Sequence, residues 1–199
     1  MNETLFIVFA PGLGGNHLAN LIALGDRFNR EVDYNEYHQK ANNAHFAKMT
    51  NLQLLYAESN ISDQNLENIL NTTNIFCGHI GEYLWFMQSS YYQKFKNKKI
   101  LIVDVPDIGT FAYKRFISYN KLNDYFYHEQ KTLYTRPNLS ILFKETNLFN
   151  INSTLIFDEN STELIRFLEQ EFNMNIDKLM ASDIHKNWIN NIKHSLNVL

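Results

Sequence analysis

A glycine-rich turn near the start of the chain is the clearest indication of chemistry in this sequence. An apolar run over residues 4–9 leads into the turn, and an amphipathic segment over residues 18–24 follows it. Glycines let backbone N–H groups converge on an anion, and a helix N-terminus adds partial positive charge. The sequence therefore predicts a site for a phosphate or phosphosulfate group. The residues expected to bind it are Pro11, Gly12, Gly14, Gly15, Asn16 and His17.

The same turn has a purely structural interpretation, in which Asn16 caps the following helix. We favour the ligand, because three glycines within residues 12–15 exceed what a helix cap requires. His17 could donate to the same anion, although a histidine in the first turn of a helix is more commonly exposed. The turn contains no lysine, so it does not match the GxxxxGK[ST] pattern of P-loop NTPases.

Two further side chains follow predicted strands, His79 after residues 74–78 and Asp104 after residues 99–103. Since parallel strands end at one edge of a sheet, we expect both side chains near the glycine turn. His79 suits a general base at neutral pH, and a strand-end histidine bonded to the backbone is an equally good interpretation. Asp104 resembles a magnesium-binding carboxylate, but without a lysine in the turn we expect no metal.

Two basic residues, Lys114 and Arg115, lie in a helix predicted to open at Pro106 with Asp107 as its N-cap. They are candidate contacts for the same anion, with ordinary solvated surface positions as the alternative. The chain has no CxxC, no HExxH and no nucleophile elbow. These absences exclude the usual zinc hydrolases and serine esterases.

Predicted strands and helices alternate along the chain. The strands are expected at residues 4–9, 74–79, 99–104, 140–143 and 154–157. Helices are expected at 44–55, 63–70 and 81–95, after Pro106, and from Asn160 or Ser161 onwards, with a C-terminal helix in which Trp188 packs in the core. This alternation predicts a single α/β domain over residues 1–199, a three-layer sandwich with a mostly parallel central sheet.

Composition limits the partners. With 199 residues, a net charge of −3 and a pI near 6.2, the chain lacks the clustered Lys and Arg that nucleic-acid binding requires. Its single cysteine, Cys77, excludes an internal disulfide and suits a reducing compartment. The first apolar run has no basic segment before it and breaks at Pro11. We therefore expect a cytoplasmic protein that binds neither nucleic acid nor membrane.

The order of these features resembles the PAPS-dependent sulfotransferase family. Pro11, Gly14 and Leu18 match that family's PxxGxxxL-like loop, and His79 stands where the family has its catalytic histidine. The segment from Ile100 to Phe116 is similar to the strand, proline and helix that bind the donor's 3′-phosphate. Further similar segments are 155–158, 164–168 and 185–188. Four positions differ from the family pattern: Gly12 replaces a lysine, Gly15 a hydroxyl residue, Asp104 an arginine and Ala112 a serine.

This resemblance implies a P-loop, sulfotransferase-like fold that transfers a sulfuryl group from PAPS, leaving PAP. His79 would be the catalytic residue, and the acceptor would be a hydroxyl or amine on a small molecule or glycan. No metal is implied. Two alternatives remain open: a P-loop nucleotide-binding kinase or NTPase that uses Asp104 with Mg²⁺, and a non-catalytic relative that serves as an interaction module.

Overall fold

The protein has a central sheet whose four described strands are all parallel, in the order β2-β1-β3-β4. The computed structural model describes residues 3–29, 32, 68–69, 73–90, 92–95, 97–133 and 147–197. The described strands are β1 (Thr4–Val8), β2 (Ile75–Gly78), β3 (Lys98–Asp104) and β4 (Leu148–Asn152). The described helices are α1 (Gly15–Ile22), α2 (Ile80–Met87), α3 (Phe111–Asn120), α4 (Asp124–Leu133), α5 (Ser153–Ile156), α6 (Ser161–Phe172) and α7 (Lys178–Asn197). Helices flank the sheet, so the predicted α/β sandwich is confirmed.

Apolar side chains explain why β1 and β3 occupy the middle of the sheet. Every residue of β1 is buried, and so is the run Ile100–Val103 in β3, as expected for parallel strands covered on both faces. Phe6 of β1 lies at the centre of an aromatic cluster with ring centroids 5.4–6.3 Å away. Its neighbours are Phe76, Tyr83, Phe86, Tyr92 and Phe95. The glycine turn therefore leaves from a strand that is held firmly in the core.

The strand order locates the crevice in which a ligand would bind. The chain passes from β1 to β2 on one side, and then returns to β3 on the other side of β1 before it reaches β4. Strands whose connections leave in opposite directions open a crevice at their carboxyl ends. Here those strands are β1 and β3, so the topology places the expected ligand position next to the glycine turn and the segment after Asp104.

The strand predicted at residues 154–157 is wrong. Residues 154–156 belong to α5 and Phe157 is its C-cap, whereas the fourth strand lies earlier, at Leu148–Asn152. Asn152 stops the strand, because its side chain accepts a hydrogen bond from the N–H of Thr154 and caps the helical turn. The polar residue Asn150 interrupts the apolar pattern that would have indicated this strand. Its side chain donates a hydrogen bond to Asp104 of the neighbouring strand.

The helix predicted after Pro106 begins later than expected. Its N-cap is Thr110, whose hydroxyl accepts from the N–H of Tyr113, and not Asp107. The Asp107 carboxylate instead pairs with Lys131 of α4 at 2.5 Å. The helix predicted over residues 81–95 is also shorter: α2 ends at Met87, and residues 92–94 form a separate 3₁₀ turn.

Several predicted elements fall beyond the part of the chain that the structure describes. These are the helix at 44–55, the strand at 140–143 and, apart from residues 68–69, the helix at 63–70. The N-cap predicted for the later helix is confirmed, since the Asn160 side chain accepts from the N–H of Thr162 at the start of α6.

Candidate functional site

Two glycines give the turn a left-handed backbone conformation. Gly12 has φ 86° and Gly14 has φ 75°, both in the left-handed region that favours glycine. Gly14 is the N-cap of α1, and the predicted cap Asn16 lies inside the helix. Asn16 instead receives a hydrogen bond from the Cys77 thiol of β2, with Sγ 2.9 Å from Oδ1. The turn is therefore tied to the neighbouring strand β2 by this hydrogen bond.

The glycines of this turn are half-buried at Gly12 and Gly14 and buried at Gly15. Among the described residues, the N–H groups of Gly12, Gly14 and Gly15 donate to no protein acceptor. The first amides of a helix lack intrahelical partners and carry partial positive charge. These groups are the donors that the sequence analysis assigned to an oxyanion.

An aromatic ring lies against each glycine of the turn. A Cβ atom would lie 3.0 Å from Tyr119 at Gly12, 2.8 Å from Trp188 at Gly14 and 2.0 Å from Phe9 at Gly15. The rings come from α3, from α7 and from the end of β1. Packing as well as backbone conformation therefore requires glycine in this turn.

Gly15→Ala is expected to cost about 3 kcal/mol of the free energy of unfolding, the upper end of the usual range for overpacking. The added methyl group would overlap the ring of Phe9 near its attachment point, where a small side-chain rotation gives no relief. Urea unfolding measures the change. The matched control is Gly81→Ala in α2, where no atom lies within 4 Å of the added Cβ.

We expect Gly81→Ala to leave stability unchanged or to raise it by up to about 1 kcal/mol, because alanine favours a helix. Equal effects at the two glycines would show that Gly15 is not held against Phe9.

Helix α3 links Arg115 to the same turn through Tyr119. The Arg115 guanidinium lies 4.8 Å from the centroid of the Tyr119 ring, which itself contacts Gly12. The Asn120 side chain, at the end of the same helix, donates to the carbonyl oxygen of Pro11 at 2.8 Å. Arg115 is partly buried, which lowers the pKa of its guanidinium, and no described carboxylate forms an ion pair with it. It is the better placed of the two predicted cations, since Lys114 is exposed.

His79 lies between β2 and α2, directly before the first residue of the helix. Its backbone N–H donates to Oε2 of Glu82 at 2.8 Å, and its Nδ1 lies 3.9 Å from Oε1 of the same carboxylate. The imidazole packs edge-on against Phe9, with ring centroids 5.2 Å apart, and 42% of the side chain is exposed. Phe9 thus contacts both His79 and Gly15, and it links the predicted base to the turn. Glu82 is a partner that the sequence analysis missed, although its position three residues after His79 is a capping-box signal.

Asp104 lies at the carboxyl end of β3. Burial raises the pKa of its carboxyl group, and the negative charge of Asp107 adds to this effect. Asn150 donates to Asp104 Oδ1 at 2.9 Å, which partly offsets the shift. Within the described ranges, no group of three or more His, Cys, Asp or Glu residues is arranged to hold a metal ion.

His17 is not on the exposed side of the turn, and the prediction of a solvent-exposed first-turn histidine is wrong. The ring is fully buried and stacks on Trp188, with centroids 3.9 Å apart and planes 5° apart. Its Nε2 is 3.0 Å from Nδ1 of His185 in α7. His17 therefore supports the turn from beneath, and the anion role predicted for it gains no support. The packing role predicted for Trp188 is confirmed, since it is 5% exposed.

Fold and site together define an α/β protein with a parallel sheet and a glycine turn after the carboxyl end of β1. Comparison with protein families, with curated proteins and with solved structures finds no significant match. No helix in the described part of the chain is both long enough and apolar enough to cross a membrane.

Proposed function

We propose that this chain is a sulfotransferase-like transferase that moves a sulfuryl group from a PAPS-like donor to a hydroxyl or amine acceptor. The observation that carries the proposal is the glycine turn, whose amides at Gly12, Gly14 and Gly15 have no acceptor among the described residues. The turn lies in the β1–β3 crevice, where open parallel sheets bind ligands. Arg115 is linked to the turn through Tyr119, and His79 is linked to it through Phe9.

The turn and Arg115 fit the 5′-phosphosulfate part of the donor. Amides without protein partners suit its oxygens, and a guanidinium suits a phosphate because it presents several donors in one plane. The far end of the crevice does not fit a 3′-phosphate. The Asp104 carboxylate would repel it, and Ala112 offers no hydroxyl and is buried. We therefore expect a donor held by its 5′ end.

His79 would accept the proton of the acceptor. As the acceptor oxygen or nitrogen forms its bond to sulfur, the bond from sulfur to the donor phosphate breaks, and the acceptor's proton passes to the His79 imidazole. Negative charge then develops on the phosphate oxygen, beside the turn amides and Arg115. A positioned donor at such an atom typically changes the rate by about 10²–10³. Glu82 Oε1 lies 3.9 Å from His79 Nδ1, so a carboxylate faces the imidazole that receives the proton.

Ligand binding tests the proposal directly. Calorimetry with PAP, adenosine 5′-monophosphate, and ATP or GTP with and without Mg²⁺ compares the candidate classes. Binding of PAP or the monophosphate without Mg²⁺ is the expected result. Binding of ATP or GTP that requires Mg²⁺ would favour a kinase or NTPase. If no nucleotide binds at millimolar concentration, the proposal is contradicted and a non-catalytic interaction module is favoured.

Arg115→Gln is expected to weaken binding of the nucleotide 5′-phosphate by about 10–100-fold, because hydrogen bonds to a charged group contribute about 1.5–3 kcal/mol. Lys114→Gln is the matched control on the same helix; it is exposed, and we expect a change of less than about threefold. Equal losses in the two variants would indicate general charge attraction instead of a contact by Arg115.

A further inference from the structure

Two histidines meet beneath the glycine turn and take no part in the proposed transfer. His17 of α1 and His185 of α7 are both fully buried. Their rings are joined by the 3.0 Å contact between His17 Nε2 and His185 Nδ1, and His185 Nε2 lies 2.6 Å from the carbonyl oxygen of Asp158. The two rings thus form a chain that ends on a main-chain acceptor.

This chain of contacts determines which nitrogens carry protons. A carbonyl oxygen only accepts, so the hydrogen in the contact with Asp158 belongs to His185 Nε2. In the neutral His185 ring, Nδ1 then carries no hydrogen and accepts a hydrogen bond from His17 Nε2–H. These two contacts are therefore both satisfied when both rings are neutral.

Protonation disturbs this arrangement in two steps. A first proton on His185 makes both of its nitrogens donors, so the contact survives only if His17 moves its own proton from Nε2 to Nδ1. A second proton leaves two donors facing each other, and the hydrogen bond is lost. His17 also lies in the first turn of α1, where the helix dipole disfavours a positive charge.

The pair is mechanically connected to the turn through Trp188. The indole stacks on His17, and its Cη2 lies 2.8 Å from the position that a Cβ of Gly14 would occupy. Trp188 and His185 share α7, so a displacement of this helix removes support from His17 and from Gly14 together.

We propose that the His17–His185 pair is a proton-sensitive clamp: in the neutral form it docks α7 beneath the glycine turn, and in the protonated form it releases both. The consequence for anion binding rests on the proposed function, whereas the clamp itself does not.

The surroundings of the two rings favour their neutral form. Burial is the largest influence on both rings and lowers the pKa of each, and the neighbouring His185 lowers that of His17 further. Asp158, from the connection between α5 and α6, acts in the opposite sense on His185 but does not outweigh burial. Asp183 and Lys186 of α7 are exposed, and among the described residues no carboxylate forms an ion pair with His185.

The lowered pKa values determine how the stability of the protein changes with pH. The unfolded chain binds protons near the usual histidine pKa of about 6.5, and the folded pair binds them only at lower pH. The clamp's contribution is therefore complete above that pH and is lost as the pH falls below it. Two protons taken up on unfolding make the folding equilibrium constant fall by up to about a hundredfold per pH unit.

Urea unfolding between pH 7.5 and 5 tests this slope in the wild type and in two variants. His185→Gln retains a donor for Asp158 but cannot titrate, so we expect the fall to drop to about tenfold per pH unit. His194→Gln, at an exposed position of the same helix, should keep the wild-type slope. A wild-type slope in His185→Gln would overturn the clamp.

Nitrogen NMR of the wild-type imidazoles decides the question even if His185→Gln does not fold. We expect a protonated Nε2 in both rings, and both rings still neutral at pH 6.5. Titration of either ring at its ordinary pKa in the folded protein would contradict the proposal.

The connection between the histidine pair and the glycine turn is measured by NMR in the same samples, without any ligand. We expect the amide signals of Gly12, Gly14 and Gly15 to shift as the two histidines are protonated. Unchanged amide signals would overturn the link between the clamp and the turn. A protein that binds no nucleotide at any pH would contradict the proposed function but would leave these titrations intact.

Discussion

His79→Ala is expected to lower the rate of sulfuryl transfer by about 10²–10⁴-fold, the usual contribution of a positioned general base. The variant retains its fold, because the hydrogen bond from residue 79 to Glu82 uses the backbone N–H and not the imidazole. Release of PAP from PAPS, with a panel of phenol, sugar and amine acceptors, measures the rate. Donor binding by calorimetry should stay within about threefold of the wild type, because the turn amides remain.

His128→Ala is the matched control for this experiment. His128 is an exposed histidine of α4, so its removal should change neither rate nor binding. If His79→Ala and His128→Ala retain equal activity, His79 is only the strand-end residue of the alternative interpretation. Glu82→Gln adds a second check: it removes the carboxylate 3.9 Å from His79 Nδ1, so we expect the transfer rate to fall while donor binding is retained.

Trp188→Ala is expected to lower the free energy of unfolding by about 3–5 kcal/mol, the cost typical of removing a large buried aromatic side chain. The indole stacks on His17, packs on Phe157 with ring centroids 5.2 Å apart, and touches Gly14. Its loss leaves a cavity between α7 and the turn. Urea or thermal unfolding measures the effect, and nucleotide binding should weaken with it because Gly14 loses its support.

Leu179→Ala provides the comparison on the same helix. Leu179 is 84% exposed, so its truncation should change stability by less than about 0.5 kcal/mol. A Trp188→Ala protein as stable as Leu179→Ala would mean that α7 does not dock beneath the turn. Trp188→Phe should recover part of the loss, since a smaller ring still stacks on His17.

Elements with strong local signals were predictable from the sequence. The apolar runs of β1 and β3 needed no distant partner to be recognised, because a strand buried on both faces is apolar along its length. β4 was missed because Asn150 and Asn152 break this pattern, and only the bond from Asn150 to Asp104 explains a polar side chain there. The start of α3 was misplaced because Asp107 and Thr110 are both suitable caps.

The candidate site, like the fold, was predictable only in part from the sequence. The turn glycines and the strand-end position of His79 follow from short-range patterns. The difference between Lys114 and Arg115 does not, because the two are adjacent and only the approach of Tyr119 to Gly12 separates their surroundings. The contact between His79 and Glu82 had a local signal, in their spacing of three residues.

The sequence by itself determined that a glycine turn joins a buried strand to a helix and that two further strands end at the same edge. Local backbone preferences and side-chain periodicity act over a few residues, and they are enough for that. The tertiary structure decided which rings press on each glycine and that His17 faces inwards. His185 is 168 positions from His17, and no short-range pattern specifies a contact over such a separation, because only burial of the shared core brings the two rings together.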